Sequence, residues 1–368
     1  MVEWKELSDF LNFEQPTPYL VKSTDYDNSY KTPVLTAGQS LLLGYTNETE
    51  GIYVADKNNP CIIFDDFTTS FHWIDYNFKV KSSAMKMLKP KKDTNFRYVY
   101  YAMQQIHFVP QQHQRHWISK YSHFLIPIPS LEEQNRIVGI LDTFTDCIEN
   151  LKQQIAQRKK QYEYYRDQLL DLEGKPGVKM KTLGEIGTFI RGTGIQKADF
   201  IEEGFPCIHY GQIHTKFGVS ATEVISFVDE KLYNKSKKAT KGDVVLATTS
   251  EDAEGVAKPV AWLGNDDVAI SGDAYIYHHT QNGKYMAHVF LSHRFFLFKI
   301  RNVSGTKVIR ISGDSMAKFE VALPSFPEQQ RIVSILDTFE ASITNLEAQL
   351  TMRQKQYEYY RNQLLTFD

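Results

Sequence analysis

One helical sequence occurs twice in this chain: RKKQYEYYRDQLLDLE occupies residues 158–173 and RQKQYEYYRNQLLTFD occupies residues 353–368. Extended toward the N-terminus, the ungapped match runs from Pro129 to Glu173 against Pro324 to Asp368, and 27 of its 45 positions are identical. The copies lie 324 − 129 = 195 residues apart, far more than the period of about 20 to 50 residues that marks a solenoid. Each copy is therefore expected to connect larger parts, and a chain of 368 residues has room for two domains.

Each copy predicts one long helix. Ser130 with Glu133, and Ser325 with Glu328, have the spacing of a capping box that opens a helix. The apolar residues that follow step by alternating four and three positions, as the seam of a coiled coil does. About 40 residues per helix make a rod of roughly 60 Å. The predicted seam consists of Ile137, Leu141, Phe144, Ile148, Leu151, Ile155, Tyr162, Tyr165 and Leu169 in the first helix, and Ile332, Leu336, Phe339, Ile343, Leu346, Leu350, Tyr357, Tyr360 and Leu364 in the second. The first helix is expected to end at Gly174, which can take a left-handed cap.

Connectivity predicts that the two helices pair in antiparallel fashion. The first helix leads into a second globular region, and the second helix starts from that region, so antiparallel pairing returns the chain end to the first region. Each buried apolar side chain stabilises such pairing by about 1.5 to 3 kcal/mol. Arg158 and Arg353 interrupt the seam at matching positions; either their stems pack while their heads reach solvent, or they fix the register. Tyr164 and Tyr359 lie beside the seam and either form a partner-binding surface or pack on their own globular regions.

The residues between the helices predict two mixed α/β domains. Short β-branched and aromatic runs, such as CIIFDDF at 61–67 and DVVLATT at 243–249, are separated by Gly, Asn and Asp turns. The predicted fold class is α+β, with two mixed α/β domains separated by two long antiparallel helices that form a pseudo-two-fold symmetric coiled coil. The predicted boundaries are 1–128 for the first domain, 129–174 for the first helix, 175–323 for the second domain and 324–368 for the second helix.

Composition and motifs exclude several functions. The chain has 42% apolar and 23% charged residues and a net charge of −2, and no run approaches the roughly 18 to 20 apolar residues that cross a bilayer. The N-terminus lacks the features of a secretory signal, so a cytoplasmic protein is expected. Cys61, Cys147 and Cys207 fit neither a disulfide framework nor a zinc pair. The absence of a phosphate-binding loop, a dinucleotide fingerprint and a set of four metal ligands disfavours an enzyme that acts alone and a zinc site.

Two different domains alternating with two nearly identical helices resemble the specificity subunit of type I restriction-modification systems. The helices are entered through PIPSLEEQNRIVGILD at 127–142 and ALPSFPEQQRIVSILD at 322–337, which share the motif P-x-x-x-E-Q-x-R-I. The resemblance covers the whole chain and implies a non-catalytic DNA reader. It implies that each variable domain is a target recognition domain for one half of a split double-stranded DNA target, while the helices set the spacing and bind two modification (methyltransferase) subunits.

The resemblance also places the chemistry in partner subunits. It implies that the modification subunits carry S-adenosylmethionine and that restriction (motor-nuclease) subunits use ATP and Mg, so that this chain holds no cofactor. Two alternatives stay open: the specificity subunit of a related restriction enzyme that cuts on both sides of its site, and a coiled-coil scaffold that does not bind DNA. Subunit composition and DNA binding would separate them.

Candidate DNA-binding residues follow from the chemistry of the major groove, where Arg and Lys suit guanine, Asn and Gln suit adenine, and Ser and Thr contact bases or phosphates. They are Gln39, Thr68, Thr69, Lys79 and Lys81 in the first domain, and Arg191, Gln196, Lys197, Thr248, Thr249 and Lys258 in the second. Two lysine-rich runs, at 79–97 and 231–241, are either solvated faces or further DNA contacts.

Overall fold

The structure is a computed structural model that describes residues 2–38, 40–110 and 114–367. The chain forms two compact units: unit 1 comprises Met1–Lys152 and Gln349–Asp368, and unit 2 comprises Gln153–Ala348. Each unit therefore contains one mixed α/β region, the start of one long helix and the end of the other. This division differs from the predicted boundaries, which set each helix apart from the domains, because the helix ends pack into the domain cores.

Unit 1 is built on a four-stranded sheet in the order β2-β8-β5-β6, a three-stranded sheet β4-β3-β7 and a two-stranded sheet β1-β9. Its elements are β1 (Glu3–Glu6), α1 (Leu7–Phe10), β2 (Leu11–Glu14), β3 (Thr32–Leu35), β4 (Leu42–Thr46), β5 (Cys61–Asp65), β6 (Phe71–Ile74), β7 (Lys79–Val80), β8 (Met85–Pro90), α2 (Phe96–Met103), β9 (Leu125–Ile128) and the start of α3 (Leu131–Leu170).

Unit 2 is built on a five-stranded sheet in the order β11-β20-β16-β18-β13, a four-stranded sheet β14-β12-β19-β15, and the pairs β10-β22 and β17-β21. Its elements are β10 (Lys179–Thr182), α4 (Leu183–Ile186), β11 (Gly187–Arg191), β12 (Phe205–Ile208), α5 (Tyr210–Thr215), β13 (Ser220–Ala221), β14 (Ser226–Val228), α6 (Glu230–Lys235), β15 (Lys238–Ala239), β16 (Val244–Ala247), β17 (Thr249–Ser250), β18 (Lys258–Trp262), β19 (Val268–Ile270), β20 (Ala274–His279), α7 (Gly283–Leu291), α8 (His293–Asn302), β21 (Ile309–Arg310), α9 (Gly313–Met316), β22 (Glu320–Leu323) and the start of α10 (Phe326–Leu365).

The two units share the topology of their main sheets. The order β2-β8-β5-β6 corresponds strand for strand to β11-β20-β16-β18, and all three pairings are antiparallel in both units. The central strands β5 and β16 are the apolar runs CIIFD and VVLA, and their apolar side chains are fully buried. A short continuous apolar run is expected where a strand is covered on both faces. The loop that follows β5 in unit 1 and the loop that follows β16 in unit 2 therefore leave equivalent strands of the main sheet.

A matching two-stranded clasp closes each domain where its long helix begins. In unit 1, β1 pairs antiparallel with β9, so that Glu3 lies opposite Ile128; in unit 2, β10 pairs with β22, so that Lys179 lies opposite Leu323. The first residues of α1 and α4, Leu7 and Leu183, are fully buried behind these clasps. The chain thus enters each domain beside the point at which it leaves.

The long helices α3 and α10 each contain 40 residues. At the start of α3, the Ser130 hydroxyl accepts the Glu133 N–H at 3.3 Å, but the Glu133 carboxylate binds the Arg136 guanidinium at 2.6 Å instead of turning back. The predicted capping box is therefore wrong in its second half. The helix also ends at Leu170, before the predicted Gly174, which nevertheless has a positive φ of 74°.

Antiparallel packing of the two long helices is confirmed by two equivalent aromatic stacks. In unit 1, Phe144 stacks on Tyr360 with ring centroids 5.3 Å apart; in unit 2, Phe339 stacks on Tyr165 at 5.4 Å. The repeat relates the two pairs, since 144 + 195 = 339 and 165 + 195 = 360. The predicted fold class, with mixed α/β domains and two long packed helices, is confirmed.

Burial along the seam is uneven. Ile137 and Leu141 are buried in the core of unit 1, and Ile332 and Leu336 in the core of unit 2. Leu151 and Ile155 are buried farther along, whereas the tyrosine rings of the two stacks keep 47% (Tyr165) and 44% (Tyr360) exposure. The half-buried seam members are Phe144, Ile148, Tyr162, Leu169, Phe339, Ile343, Leu346, Leu350, Tyr357 and Leu364. A pair of helices alone leaves part of each seam residue in contact with solvent, so the deepest burial falls where a domain also packs.

Candidate nucleic-acid interface

Two topologically equivalent loops carry four of the eleven predicted recognition residues: Thr68, Thr69, Thr248 and Thr249. Loop 66–70 connects β5 to β6 in unit 1, and loop 248–257 connects β16 to β18 in unit 2. Thr69 and Ala257 in these loops have φ of 58° and 57°; with Asp93 they are the non-glycine residues with positive φ in the described ranges. Such strain persists where the surrounding structure holds the backbone firmly, often at ligand sites.

Loop 66–70 is held by carboxylates at its base. Asp65 accepts the N–H groups of Phe67 and Thr68, both at 2.8 Å. The Asp66 carboxylate, almost fully buried, accepts the Trp117 N–H at 2.7 Å and lies 3.2 Å from the equally buried Lys86 ammonium. A buried charge needs such a partner, because leaving it unpaired costs several kcal/mol. The loop is thus fixed before any ligand arrives.

Loop 248–257 is held by a lysine from another element. Lys299 on α8 is 5% exposed, and its ammonium donates to the carbonyl oxygens of Glu254 at 2.9 Å and Val256 at 2.8 Å. Burial lowers the pKa of Lys299 to about 8. Asp252 accepts the Gly255 N–H at 2.6 Å, and this hydrogen bond lowers the pKa of the Asp252 carboxyl. This loop too is rigid, although its anchors differ from those in unit 1.

A cleft of about 850 Å³ lies beside loop 248–257 and gathers three of the predicted residues, Lys197, Thr249 and Lys258. The Lys258 ammonium donates to the His214 carbonyl at 3.0 Å, and burial lowers the pKa of Lys258. Loop 248–257 also contributes the exposed carboxylates of Glu251 and Glu254. The cleft thus offers hydrogen-bond donors and acceptors, as direct readout of base edges requires.

The remaining predicted residues of unit 2 lie at or near this cleft. Arg191 is exposed at the end of β11, with its guanidinium hydrogen-bonded to the Gly272 carbonyl at 2.9 Å and 3.8 Å from Asp273. Gln196 is exposed immediately before Lys197. Thr248 is 5% exposed, and Thr249 is 6% exposed although it lines the cleft. Arg191 and Gln196 therefore present their side chains to solvent, whereas Thr248 offers little surface.

In unit 1 the predicted residues differ in exposure. Thr68 is exposed and shares a hydrogen bond of 2.7 Å with Ser70, while Thr69 is 8% exposed and its hydroxyl donates to the Thr68 carbonyl. Lys81 is exposed just after β7. Gln39 lies outside the described residues.

Lys79 is buried, which contradicts its predicted role as a DNA contact. Its side chain is 2% exposed, and its ammonium lies 3.1 Å from the Glu48 carboxylate and donates to the Glu50 carbonyl at 2.6 Å. These partners come from a distant segment, so the sequence contained no signal for the pairing. We withdraw Lys79 as a DNA contact, because its charge is already neutralised inside the domain. The sequence alone did not identify Asp66, Lys86 and Lys299 as residues that anchor the loops. The available signal was a lysine within an apolar run, as in AMKML at 84–88.

One group of side chains among the described residues has the spacing of metal ligands: His288, Asp337 and Glu340. His288 is fully buried, its Nδ1 lies 3.1 Å from the Tyr162 hydroxyl, and burial lowers its pKa to about 3. The Lys284 ammonium, however, binds Asp337 and lies 3.5 Å from Glu340. An internal cation already occupies the position between the carboxylates, so we assign no metal there.

The helices carry equivalent exposed aromatic residues. Tyr164 is 61% exposed and Tyr359 60% exposed, and each packs edge-on against the tyrosine that follows it, with ring centroids 5.3 and 5.4 Å apart. Leu131 and Phe326, the first residues of the two helices, are 63% and 53% exposed. The two predicted tyrosines thus point to solvent and do not pack on the α/β regions.

Comparison with solved structures defines the class of fold. The chain matches the crystal structure of a type I restriction-modification system S subunit from M. genitalium with a TM-score of 0.59 and 15% identity, covering 100% of this chain and 97% of that one. It also matches a chain from a structural study of complex assembly and conformational transition of the type I R-M system, with a TM-score of 0.57 and 15% identity over 99% of this chain and 96% of the other. At this identity the likeness shows a shared fold.

Sequence comparison identifies the family. The family model described as "Type I restriction modification DNA specificity domain" matches residues 1–159 and 176–353. The chain is 40% identical over 390 residues to the specificity subunit of the type I restriction enzyme EcoR124I/EcoR124II from Escherichia coli, covering 100% of this chain and 94% of that one. A putative type I specificity subunit from Haemophilus influenzae is 26% identical over 398 residues, covering 100% and 96%. The chain belongs to the type I restriction-modification DNA specificity family, and neither alternative raised by the sequence is supported.

Proposed function

We propose that this specificity subunit reads a split target in double-stranded DNA, unit 1 through loop 66–70 and unit 2 through loop 248–257 and its cleft. The observation that supports this proposal is that the two loops occupy the same place in the same sheet topology but present different side chains. Loop 66–70 offers the hydroxyl of Thr68, and loop 248–257 offers the carboxylates of Glu251 and Glu254. Carboxylates accept a hydrogen bond from the amino group of cytosine, whereas a threonine hydroxyl suits either base, so we expect the two half-sites to have different sequences.

The long helices set the unread spacer between the half-sites. A helix of 40 residues is about 60 Å long, and one turn of B-DNA spans about 34 to 36 Å. Each helix is thus longer than one turn of the duplex. The length of the helices, and not the loops, therefore determines the spacer.

The chain acts without catalysis inside a larger complex. Two modification subunits bind the exposed apolar and aromatic positions of the helices, Tyr164 and Leu131 with their counterparts Tyr359 and Phe326. These partners bring S-adenosylmethionine, and restriction subunits add ATP and Mg, so this chain supplies no cofactor of its own. The described residues contain no helix long and apolar enough to cross a membrane, and we place the complex in the cytoplasm.

Binding of the complex to a randomised DNA library tests the proposal. The specificity subunit is purified with its modification partner, and the wild type is compared with Thr68→Ala and Gln196→Ala. If a side chain reads a base, its loss costs about 1 to 3 kcal/mol and relaxes one target position, whereas loss of a phosphate contact weakens binding to all sequences equally. Thr280→Ala, an exposed threonine outside both loops, is the matched control. A wild-type complex without sequence preference would refute the proposal.

A further inference from the structure

The two lysine-rich runs differ in the ion pairs that their basic side chains form. In the first run, Lys79 and Lys86 are buried in ion pairs with Glu48 and Asp66. The Arg97 guanidinium lies over the Trp73 ring, 4.6 Å from its centroid, and binds Asp142 at 2.7 Å. Three basic groups of this run are thus neutralised within unit 1, while Lys81, Lys91 and Lys92 are exposed.

The second run keeps its charge at the surface. Lys231 and Lys235 are exposed, four residues apart on α6, and Lys237 is exposed just after that helix. Residues at this spacing lie on one face of a helix. In the part of the chain that the structure describes, none of these three ammonium groups has an ion-pair partner. The preceding carboxylate, Asp229, caps α6 by accepting the Leu232 N–H at 2.9 Å.

Two neighbouring lysines, in contrast, have partners for their ammonium groups. Lys238 lies over the Tyr233 ring at 4.6 Å, and Lys241 donates to the Asn265 side chain at 2.9 Å. Carboxylates near α6 include Asp229 and Glu230 at its start, and Asp266 and Asp267, which act on Tyr233. Segment 229–241 contains five lysines and two acidic residues, so its formal charge is 5 − 2 = +3. Asp266 and Asp267 reduce this to 3 − 2 = +1, so the surface stays weakly positive.

These lysines adjoin the candidate recognition cleft. The Lys237 N–H donates to the Thr193 hydroxyl at 2.8 Å, which ties the end of α6 to segment 191–197. That segment contains Arg191 and Gln196 and ends at Lys197, which lines the cleft beside loop 248–257. Exposed basic groups thus occur on both of the segments that this hydrogen bond joins, Arg191 and Lys197 on one and Lys237 on the other.

We propose that Lys231, Lys235 and Lys237 bind the phosphates of the DNA backbone beside the bases that unit 2 reads, and this inference rests on the proposed function. Lysine ammonium groups are compact point charges that suit phosphates and carry no base specificity. Each phosphate neutralised releases condensed counterions, so binding acquires a salt dependence with a slope of about −0.9 per contact. This surface supplies affinity, while the loop supplies specificity.

The salt dependence of DNA binding tests the inference. The triple variant Lys231→Gln, Lys235→Gln and Lys237→Gln is purified with the modification partner, and its affinity is measured across a salt series on target and non-target duplexes. We expect the slope of log K against log salt to become shallower by about 2.7, three times 0.9, with an unchanged ratio between target and non-target binding. The matched control removes three charges elsewhere in unit 2, by Lys175→Gln, Lys179→Gln and Lys181→Gln, and leaves the slope near its wild-type value.

Two results would overturn the inference while leaving the proposed function intact: an unchanged slope in the triple variant, or a lost preference for particular bases. Circular dichroism confirms that the variant is folded before either is scored. A wild-type complex that binds DNA with equal affinity on all sequences would instead refute the proposed function. The salt slope and the sequence preference thus separate the two failures.

Discussion

The two recognition loops sit in the same place but are anchored by different chemistry. In unit 1, Lys86 on β8 pairs with the carboxylate of Asp66 in the loop itself. In unit 2, Lys299 on α8 donates to two carbonyl oxygens of the loop backbone. Both solutions bury a lysine and fix a loop that contains a strained residue. The comparison teaches that the frame specifies where a loop stands, while the means of holding it and the side chains it presents can change.

The largest predicted effect comes from breaking the anchor in unit 1. Asp66→Ala leaves the Lys86 ammonium buried without a carboxylate, and we expect the free energy of unfolding of unit 1 to fall by about 3 to 5 kcal/mol. Hydrogen exchange of β5 and β8 in urea measures the loss. The double variant Asp66→Ala with Lys86→Met should regain much of it, because an apolar replacement leaves no unpaired charge. A loss below 1 kcal/mol would show that the pair does not hold unit 1 together.

The anchor in unit 2 should depend on alkaline pH. The pKa of Lys299 is lowered from 10.5 to about 8, so between these values the folded protein holds it neutral while the unfolded chain holds it protonated. The unfolded state then binds more protons, and the contribution of Lys299 to stability rises with pH. We expect the stability of wild type relative to Lys299→Met to grow by about 3 kcal/mol from pH 8 to pH 10.5. Urea unfolding at both pH values measures it, and a constant difference would contradict the assignment.

A second comparison concerns the helices that attach each domain to the long helices. In unit 1, Arg97 and Tyr101 on α2 both bind Asp142 on α3. In unit 2, Lys284 on α7 binds Asp337 on α10, the counterpart of Asp142, since 142 + 195 = 337. His288 takes the place of Tyr101, one helical turn after the basic residue in each case. The attachment in unit 2 therefore contains an imidazole, whose pKa lies near 6.5 when it is not buried.

Acid should weaken unit 2 through this histidine. Burial lowers the pKa of His288 to about 3, so below pH 6.5 the unfolded chain takes up a proton that the folded protein does not. The groups facing it are Tyr162 and Arg166 on α3, Lys284 on α7, and Asp337 and Glu340 on α10. Burial raises the pKa of Glu340, and this shift favours the folded state as the pH falls. Glu340 is present both in wild type and in the His288→Tyr variant that is compared with it.

The variant His288→Tyr introduces the residue type that unit 1 has at the matching position. We expect the free energy of unfolding of wild type to fall by about 1.4 kcal/mol more than that of this variant for each pH unit below 6.5. Urea unfolding of unit 2 at pH 6.5 and 5.5 measures this difference. Parallel losses in the two proteins would show that His288 is not buried in its neutral form.

The smallest predicted effect sharpens the equivalence of the helices. Phe144→Ala and Phe339→Ala remove matching rings from the stacks with Tyr360 and Tyr165. Because the rings are half-buried in the same way, their losses in the free energy of unfolding should agree within about 0.5 kcal/mol, with each loss about 1 to 2 kcal/mol. Hydrogen exchange in the affected unit reports each value. Unequal losses would mean that the repeat has diverged in packing as well as in sequence.

How much could be predicted from the sequence depended on how local each signal is. The long helices and their antiparallel packing followed from a repeated heptad pattern, and the buried strands β5 and β16 followed from short apolar runs. Among the candidate site residues, Lys197, Thr249 and Lys258 do line one cleft. Lys79 could not be assigned correctly, because its burial depends on Glu48, 31 residues earlier. The anchoring roles of Lys86 and Lys299 likewise arise from partners that only the tertiary fold brings close.

The central claim, that equivalent loops read the two halves of one target, is tested most directly by mapping methylated bases. Cells that carry the modification partner express the wild type, Thr68→Ala in loop 66–70, or Glu251→Ala in loop 248–257, and single-molecule sequencing determines each methylated target. We predict that each variant relaxes a position in one half-site only, that the two variants affect opposite halves, and that the spacer stays constant. Changes in the same half, or an unchanged target in both variants, would contradict the account.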